Sequence, residues 1–130
     1  MTHDILLLIA RICLSAVYLY SALDKTINWQ NGMKFVNGLR LPQPGLVLVG
    51  TIAVQYVSGL AVLLGFYARE GAFALLAFTV IATIIAHNPI GLRGEELRRQ
   101  LTLSLEHLGI VGGLLLIVIV GPGRFAIAPQ

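Results

Sequence analysis

The sequence predicts an all-α fold: a transmembrane four-helix bundle with short loops and an interfacial segment after the first helix. Three observations predict it. Of the 130 residues 57% are hydrophobic and only 12% charged, about half the charge fraction of an ordinary soluble domain. Mean hydropathy is +0.85, whereas a soluble domain this small leaves roughly a third of its unfolded-chain surface in water. The apolar residues also gather in four runs, each close to the ~20 residues that cross the hydrocarbon as a helix. These features exclude a soluble enzyme, a disordered chain and a nucleic-acid module. The length allows one domain, 1–130, with helices at about 5–25, 44–65, 71–88 and 99–120.

The first run extends from Ile5 to Leu23 and is interrupted by Arg11. Its leader, Met1-Thr2-His3-Asp4, lacks the basic residue of a signal peptide, so the run reads as a span. Thr26 to Leu41 holds Trp29, Met33, Phe35, Val36 and Leu39 among Asn and Lys, which suits an amphipathic segment at headgroup level. Gly32 and Gly38 argue against a rigid helix there. Pro42 and Pro44 precede the second run, Leu46 to Leu64, which carries Gln55. Gly65 to Gly71 reads as a tight hairpin with a glycine at the helix stop and another at the restart. The third run is Ala72 to Ala86, extendable through His87. The charged stretch Gly94 to Gln100 begins the fourth helix in water or headgroups, and that helix spans from Leu101 to Val120 with Glu106 and His107 near its start. Backbone groups in lipid must pair within their own segment, so all four runs are read as helices.

Loop charge sets the orientation. The connections after the first and third spans hold Lys25, Lys34, Arg40, Arg93, Arg98 and Arg99, against Arg69 and Arg124 on the other side, with Arg11 added if it snorkels. Both termini are therefore expected on the non-cytoplasmic face of a cell (inner) membrane. The net charge of +3 suits loops and anionic lipid. The single Cys13 excludes an intramolecular disulfide and Cys-x-x-Cys chemistry, and reads as a packed small apolar residue.

Ionisable groups at membrane depth are expensive and mark functional candidates. Arg11, Ser15, Tyr18, Ala22 and Lys25 share one stripe of the first helix. Thr51, Gln55 and Ser58 do so in the second, Thr79, Thr83 and His87 in the third, and Thr102, Glu106, Gly109 and Gly113 in the fourth. Turning these stripes inward gives a bundle with a polar seam. The candidate ligand-binding residues are Arg11, Tyr18, Lys25, Gln55 and His87, and the candidate proton-handling, catalytic residues are Glu106 and His107. Each has a plain structural alternative. Arg11 can snorkel, Gln55 can glue helices, and Glu106 can form an ion pair with Arg11, Lys25 or a histidine. Two histidines and a carboxylate do not match a metal-ligand spacing here, so no metal is expected. His87 and His107 also lie too near one end for a haem pair. Gly109-x-x-x-Gly113 suits packing within the chain as well as dimerisation.

The sequence resembles the DoxX family of small four-span membrane proteins almost from end to end. The resemblance rests on Arg11 followed by Tyr18-Leu19-Tyr20-Ser21-Ala22-Leu23-Asp24-Lys25, on Leu41-Pro42-Gln43-Pro44 and on Gly59 to Arg69. It continues at His87, at Gly112 to Leu116 and at Gly121-Pro122-Gly123-Arg124. There are departures: members often carry glutamate where this chain has Gln55, lysine and asparagine in place of Glu106-His107, and Ser-Gly in place of Ser21-Ala22. The lost glutamate–lysine pair suggests that Glu106 instead faces Arg11 or Lys25. The resemblance implies membrane redox roles: subunits of thiosulfate:quinone oxidoreductase, quinone or catechol stress proteins, or partners of superoxide- and thiol-handling enzymes. A wider set resembles assembly factors or cargo receptors.

Two functional expectations follow. One is a component of a membrane redox system that binds quinone in the polar seam. It has no flavin, haem or iron–sulfur motif of its own, and its electrons come from a partner subunit or from the substrate. The alternative is a non-catalytic scaffold, assembly factor or lipid-binding protein. A transporter would need a homo-oligomer to form a path across the membrane. The lipid bilayer is a partner in every case.

Overall fold

A computed structural model describes residues 2–86 and 91–127. Five helices follow one another: α1 Thr2–Ile27, α2 Trp29–Gly38, α3 Pro44–Leu64, α4 Ala68–Ala86 and α5 Gly94–Val120. Among the described residues there is no strand. α1, α3, α4 and α5 are long and apolar enough to cross a membrane, and α2 is the short segment between the first two spans. α3 packs between α1 and α4, α5 packs on α4, and a slighter contact joins α1 to α5. The chain is thus a four-helix membrane bundle, and α2 lies across the ends of α1 and α3.

In three helices the inward face is the polar stripe. Arg11, Ser15, Tyr18 and Ala22 are the buried residues of α1; Gln55 and Ser58 are buried in α3, and Thr79 in α4. The large apolar residues Ile5, Leu6, Ile9, Val57, Phe73, Ile81 and Ile84 face outward. Lipid tails are as apolar as leucine, so leaving these residues outside costs nothing, whereas the polar groups need partners. Cys13 is exposed on the outer face of α1, against lipid rather than packed against a neighbouring helix.

α5 departs from the expected orientation. Its buried residues are Leu114 and Ile117, with Ile110 packed against the core, and Glu106, Thr102 and Gly109 are exposed. Only Gly113 of the expected stripe turns inward; a Cβ there would lie 3.2 Å from Leu14 Cδ2. The stripe running through His107, Ile110, Leu114 and Ile117 makes more contact than one of glycines, and it brings His107 to Thr83. Packing area therefore outweighs the polarity of a single carboxylate. The expected pairing of Glu106 with Arg11 or Lys25 does not occur.

Two glycine readings also change. α2 is a regular helix despite Gly32 and Gly38. Gly32 lets the helix settle on Leu48, whose Cδ1 would lie 3.1 Å from an added Cβ. Gly71 lies inside α4 rather than at its start. A Cβ there would stand 2.9 Å from Ala61 Cβ and 3.1 Å from the Ser58 carbonyl, so its role is close approach of α3 and α4. Gly65, by contrast, does end α3, in the left-handed region at φ 73°.

That helix end is closed in an unusual way. The last four carbonyls of a helix have no partner within it. Here Ala61 O accepts from the Gly65 N–H (3.0 Å) and the Phe66 N–H (3.1 Å), and Leu64 O from the Ile127 N–H (2.9 Å). Arg11, fully buried, donates through Nη1 to Val62 O (3.4 Å) and Leu63 O (3.2 Å), and through Nη2 to Phe125 O. The tail after α5 is held further by the Arg124 N–H on Asp4 Oδ1 (3.0 Å). Arg69 Nη2 caps Val120 O at 3.3 Å. This end of the bundle is therefore clasped shut by side chains and tail.

Replacing Arg11 with methionine leaves three carbonyls without their donor. We expect a loss of roughly 3 kcal/mol or more, read from thermal unfolding in detergent. Arg11→Lys should recover only part of it, because an ammonium cannot fork as a guanidinium does.

Candidate functional site

The opposite end of the bundle is hollow. A cavity of about 590 Å³ lies among α1, α3, α4 and α5 beneath α2, within the size range of small-molecule sites. Its walls are mostly apolar, with Leu48, Val36 and Ile110 among them. The polar groups come from the inward stripes. Tyr18, Ser21 and Lys25 come from α1, Thr51 and Gln55 from α3, Thr79 and Thr83 from α4, and His107 from α5. Successive turns of α1, α3 and α4 thus line one chamber, because residues three and four apart share a helix face.

Most of these groups are bound to one another. Thr79 Oγ1 donates to Leu75 O (2.7 Å) and so accepts from the Tyr18 hydroxyl (2.5 Å). Thr51 Oγ1 donates back to Val47 O at 2.9 Å. Thr83 Oγ1 and His107 Nδ1 are 2.9 Å apart, which ties α4 to α5 at the cavity wall. Lys25 Nζ donates to Ser21 Oγ at 2.5 Å; the Asp24 carboxylate beside it also lines the chamber, accepts from Asn28 Nδ2 at 2.8 Å and attracts the ammonium. Gln55 is 5% exposed, and its Oε1 has no hydrogen-bond partner among the described residues. An unpartnered buried acceptor is costly, about 1–3 kcal/mol.

The chamber has a side opening. α2 packs on α1 and α3 and touches neither α4 nor α5. The lining residues Phe35 of α2 and Ile81 and Ile85 of α4 are also exposed, so they form a lip between α2 and α4.

Of the residues singled out in the sequence, Tyr18, Lys25, Gln55 and His107 are brought together in this chamber. Arg11 is not among them: it belongs to the clasp at the other end. Glu106 turns to the outer surface of α5. His87 lies outside the described residues. Sequence reading passed over the contribution of α2, whose Asn31, Gly32 and Phe35 line the chamber; its amphipathic pattern was visible, but not which groove it would cover. Among the described residues no three His, Cys, Asp or Glu side chains gather as a metal group.

The profile of the DoxX family matches residues 6–88. Inner membrane protein YphA of Escherichia coli (strain K12) is 24% identical over 125 residues, covering 96% of this chain and 89% of its own length. Inner membrane protein YqjF of the same organism is 27% identical over 125 residues, covering 96% of this chain and 91% of its own. No solved structure matches.

The unpartnered acceptor makes a measurable difference in the ligand-free protein. Gln55→Leu removes it while keeping the volume, and should raise thermal stability by about 1–2 kcal/mol in detergent. Unchanged or lower stability would mean that the amide already has a partner.

Proposed function

The chain belongs to the DoxX family, and from that premise we propose that it is a component of a membrane redox system that holds a quinone headgroup in the chamber beneath α2. The observation that carries this reading is the coincidence of a lipid-side opening with a polar floor of donors and an unpartnered acceptor. A quinone ring is flat and apolar, and its carbonyls accept hydrogen bonds. Lys25 and the Gln55 amide offer donors. The same amide accepts from a hydroxyl, so it suits the reduced form as well. His107, held at Nδ1 by Thr83, is the side chain positioned to exchange a proton with a bound hydroxyl. Glu106 takes no part in this chemistry, because it faces away from the chamber. Electrons come from a partner subunit or directly from the substrate.

The chamber end also carries Lys25, Lys34, Arg40, Arg93, Arg98 and Arg99, and the clasped end Arg69 and Arg124. By the distribution of loop charge, the chamber faces the cytoplasm of the inner membrane and both termini lie outside. A reporter fused to the C-terminus that is active only beyond the cytoplasm should be active here, and a cytoplasm-specific one silent.

The ligand reading is tested by adding a short-chain quinone to the purified protein in detergent and following thermal unfolding. At about a hundred times the dissociation constant the stabilisation is about 2.7 kcal/mol. Lys25→Met and Gln55→Leu should each remove most of that shift while the proteins stay folded. No shift with quinone, together with phospholipid as the molecule recovered from the purified protein by native mass spectrometry, would favour the lipid-binding scaffold instead.

A further inference from the structure

We propose that the outer face of α5 docks a transmembrane helix of a different chain, one that carries a lysine or arginine at the depth of Glu106. Counting about 20 residues back from Val120 places the water boundary near Leu101. Glu106 is then about five residues, ~8 Å, inside the hydrocarbon. It is exposed there and makes no hydrogen bond or ion pair with any described residue. A carboxyl group turned to acyl chains is expensive, and such groups pair with an opposite charge or a strong donor.

The surface beside it is built for a close neighbour. Gly109 is exposed next to Glu106, one turn further along, and a Cβ added there would meet nothing within 4 Å. Thr102 lies one turn above. A second helix can therefore approach the α5 backbone closely at the level of the acid. The glycine supplies the fit, and the acid dictates the chemistry of the occupant.

A second copy of this chain does not supply the complement. Arg11 is buried and committed to the carbonyls of the clasp, and Lys25 is inside the chamber. Lys34 and Arg40 lie on α2 and the turn after it, and Arg69 and Arg124 lie at the far end. Arg93, Arg98 and Arg99 precede the span. Arg99, bonded to Glu96 at 2.7 Å, is seven residues or ~10 Å up the helix from Glu106. Two copies in the same membrane orientation bring equal depths together, so Glu106 would meet Glu106, a repulsive or proton-sharing pair. Among the described residues no lysine or arginine of a second copy reaches that depth on this face, so the cation comes from another chain. This inference is independent of the chamber and of what it binds.

The full chain, labelled near its C-terminus, is reconstituted in phosphatidylcholine vesicles with labelled polyleucine helices, and association is read by energy transfer. One helix carries a single lysine at the matching depth; the control is leucine throughout. The expected result is about fivefold or greater preference for the lysine helix, lost in Glu106→Gln and weakened in Gly109→Leu. Val57→Leu, on the outer face of α3, should leave the preference unchanged. Equal association of the two helices would overturn the proposal, as would a preference that survives Glu106→Gln. A self-association of the chain through α5 that excludes the lysine helix would overturn it too.

Discussion

The structure depends on satisfying polar groups where there is no water to do so. The C-terminus of α3 puts the constraint most sharply. Four carbonyls end there, and all four find donors: Gly65 and Phe66 serve Ala61, Arg11 serves Val62 and Leu63, and Ile127 serves Leu64. A helix end at the membrane boundary would ordinarily be solvated by headgroups and water. Here one arginine, from a different helix, does that work from a fully buried position and also holds the tail at Phe125. The cation is stabilised by carbonyl dipoles rather than by a carboxylate. Its Nε is left without a partner, and its two Nη groups fix the α1–α3 interface in register through the rigid fork of the guanidinium.

That closure has a consequence for the other end. Because the polar stripe of α1 runs from Arg11 through Ser15 and Tyr18 to Lys25, the same helix face that is consumed by the clasp at one end is presented to the chamber at the other. Between them, Tyr18 and Thr79 close the seam with a bond that passes on to the Leu75 carbonyl. Unpartnered buried atoms remain on both sides of that level: Arg11 Nε and Arg69 Nε at the clasped end, and Gln55 Oε1 at the chamber end, where Lys25 bonds Ser21.

Much of this was legible in the sequence, and the reason is the helix period in lipid. Where a span has one polar stripe and greasy remaining faces, the stripe goes inward, as in α1, α3 and α4. The rule failed for α5 because its stripe of Thr102, Glu106, Gly109 and Gly113 is mostly small. Burying it would have turned Leu114 and Ile117 to lipid and left the core short of volume. Arg11 was visible as a polar residue on the inner face, but its partners are backbone carbonyls some 51 and 114 residues distant, which no local pattern encodes. The chamber itself arises because α2 meets α1 and α3 but stops short of α4, a fact of tertiary packing alone.

The amide at position 55 gives the chamber its character. A carboxylate at this position beside an inward lysine would form an ion pair, with both charges committed to each other. With Gln55, the α3 wall is neutral, and the charges that line the chamber among the described residues are Lys25 and its chain neighbour Asp24. The acid within the span of α5, Glu106, lies on the outside and away from Lys25. On the proposed readings that separation gives Lys25 to a ligand inside and Glu106 to a neighbour outside, and neither demand could be met if the two side chains neutralised each other within the seam.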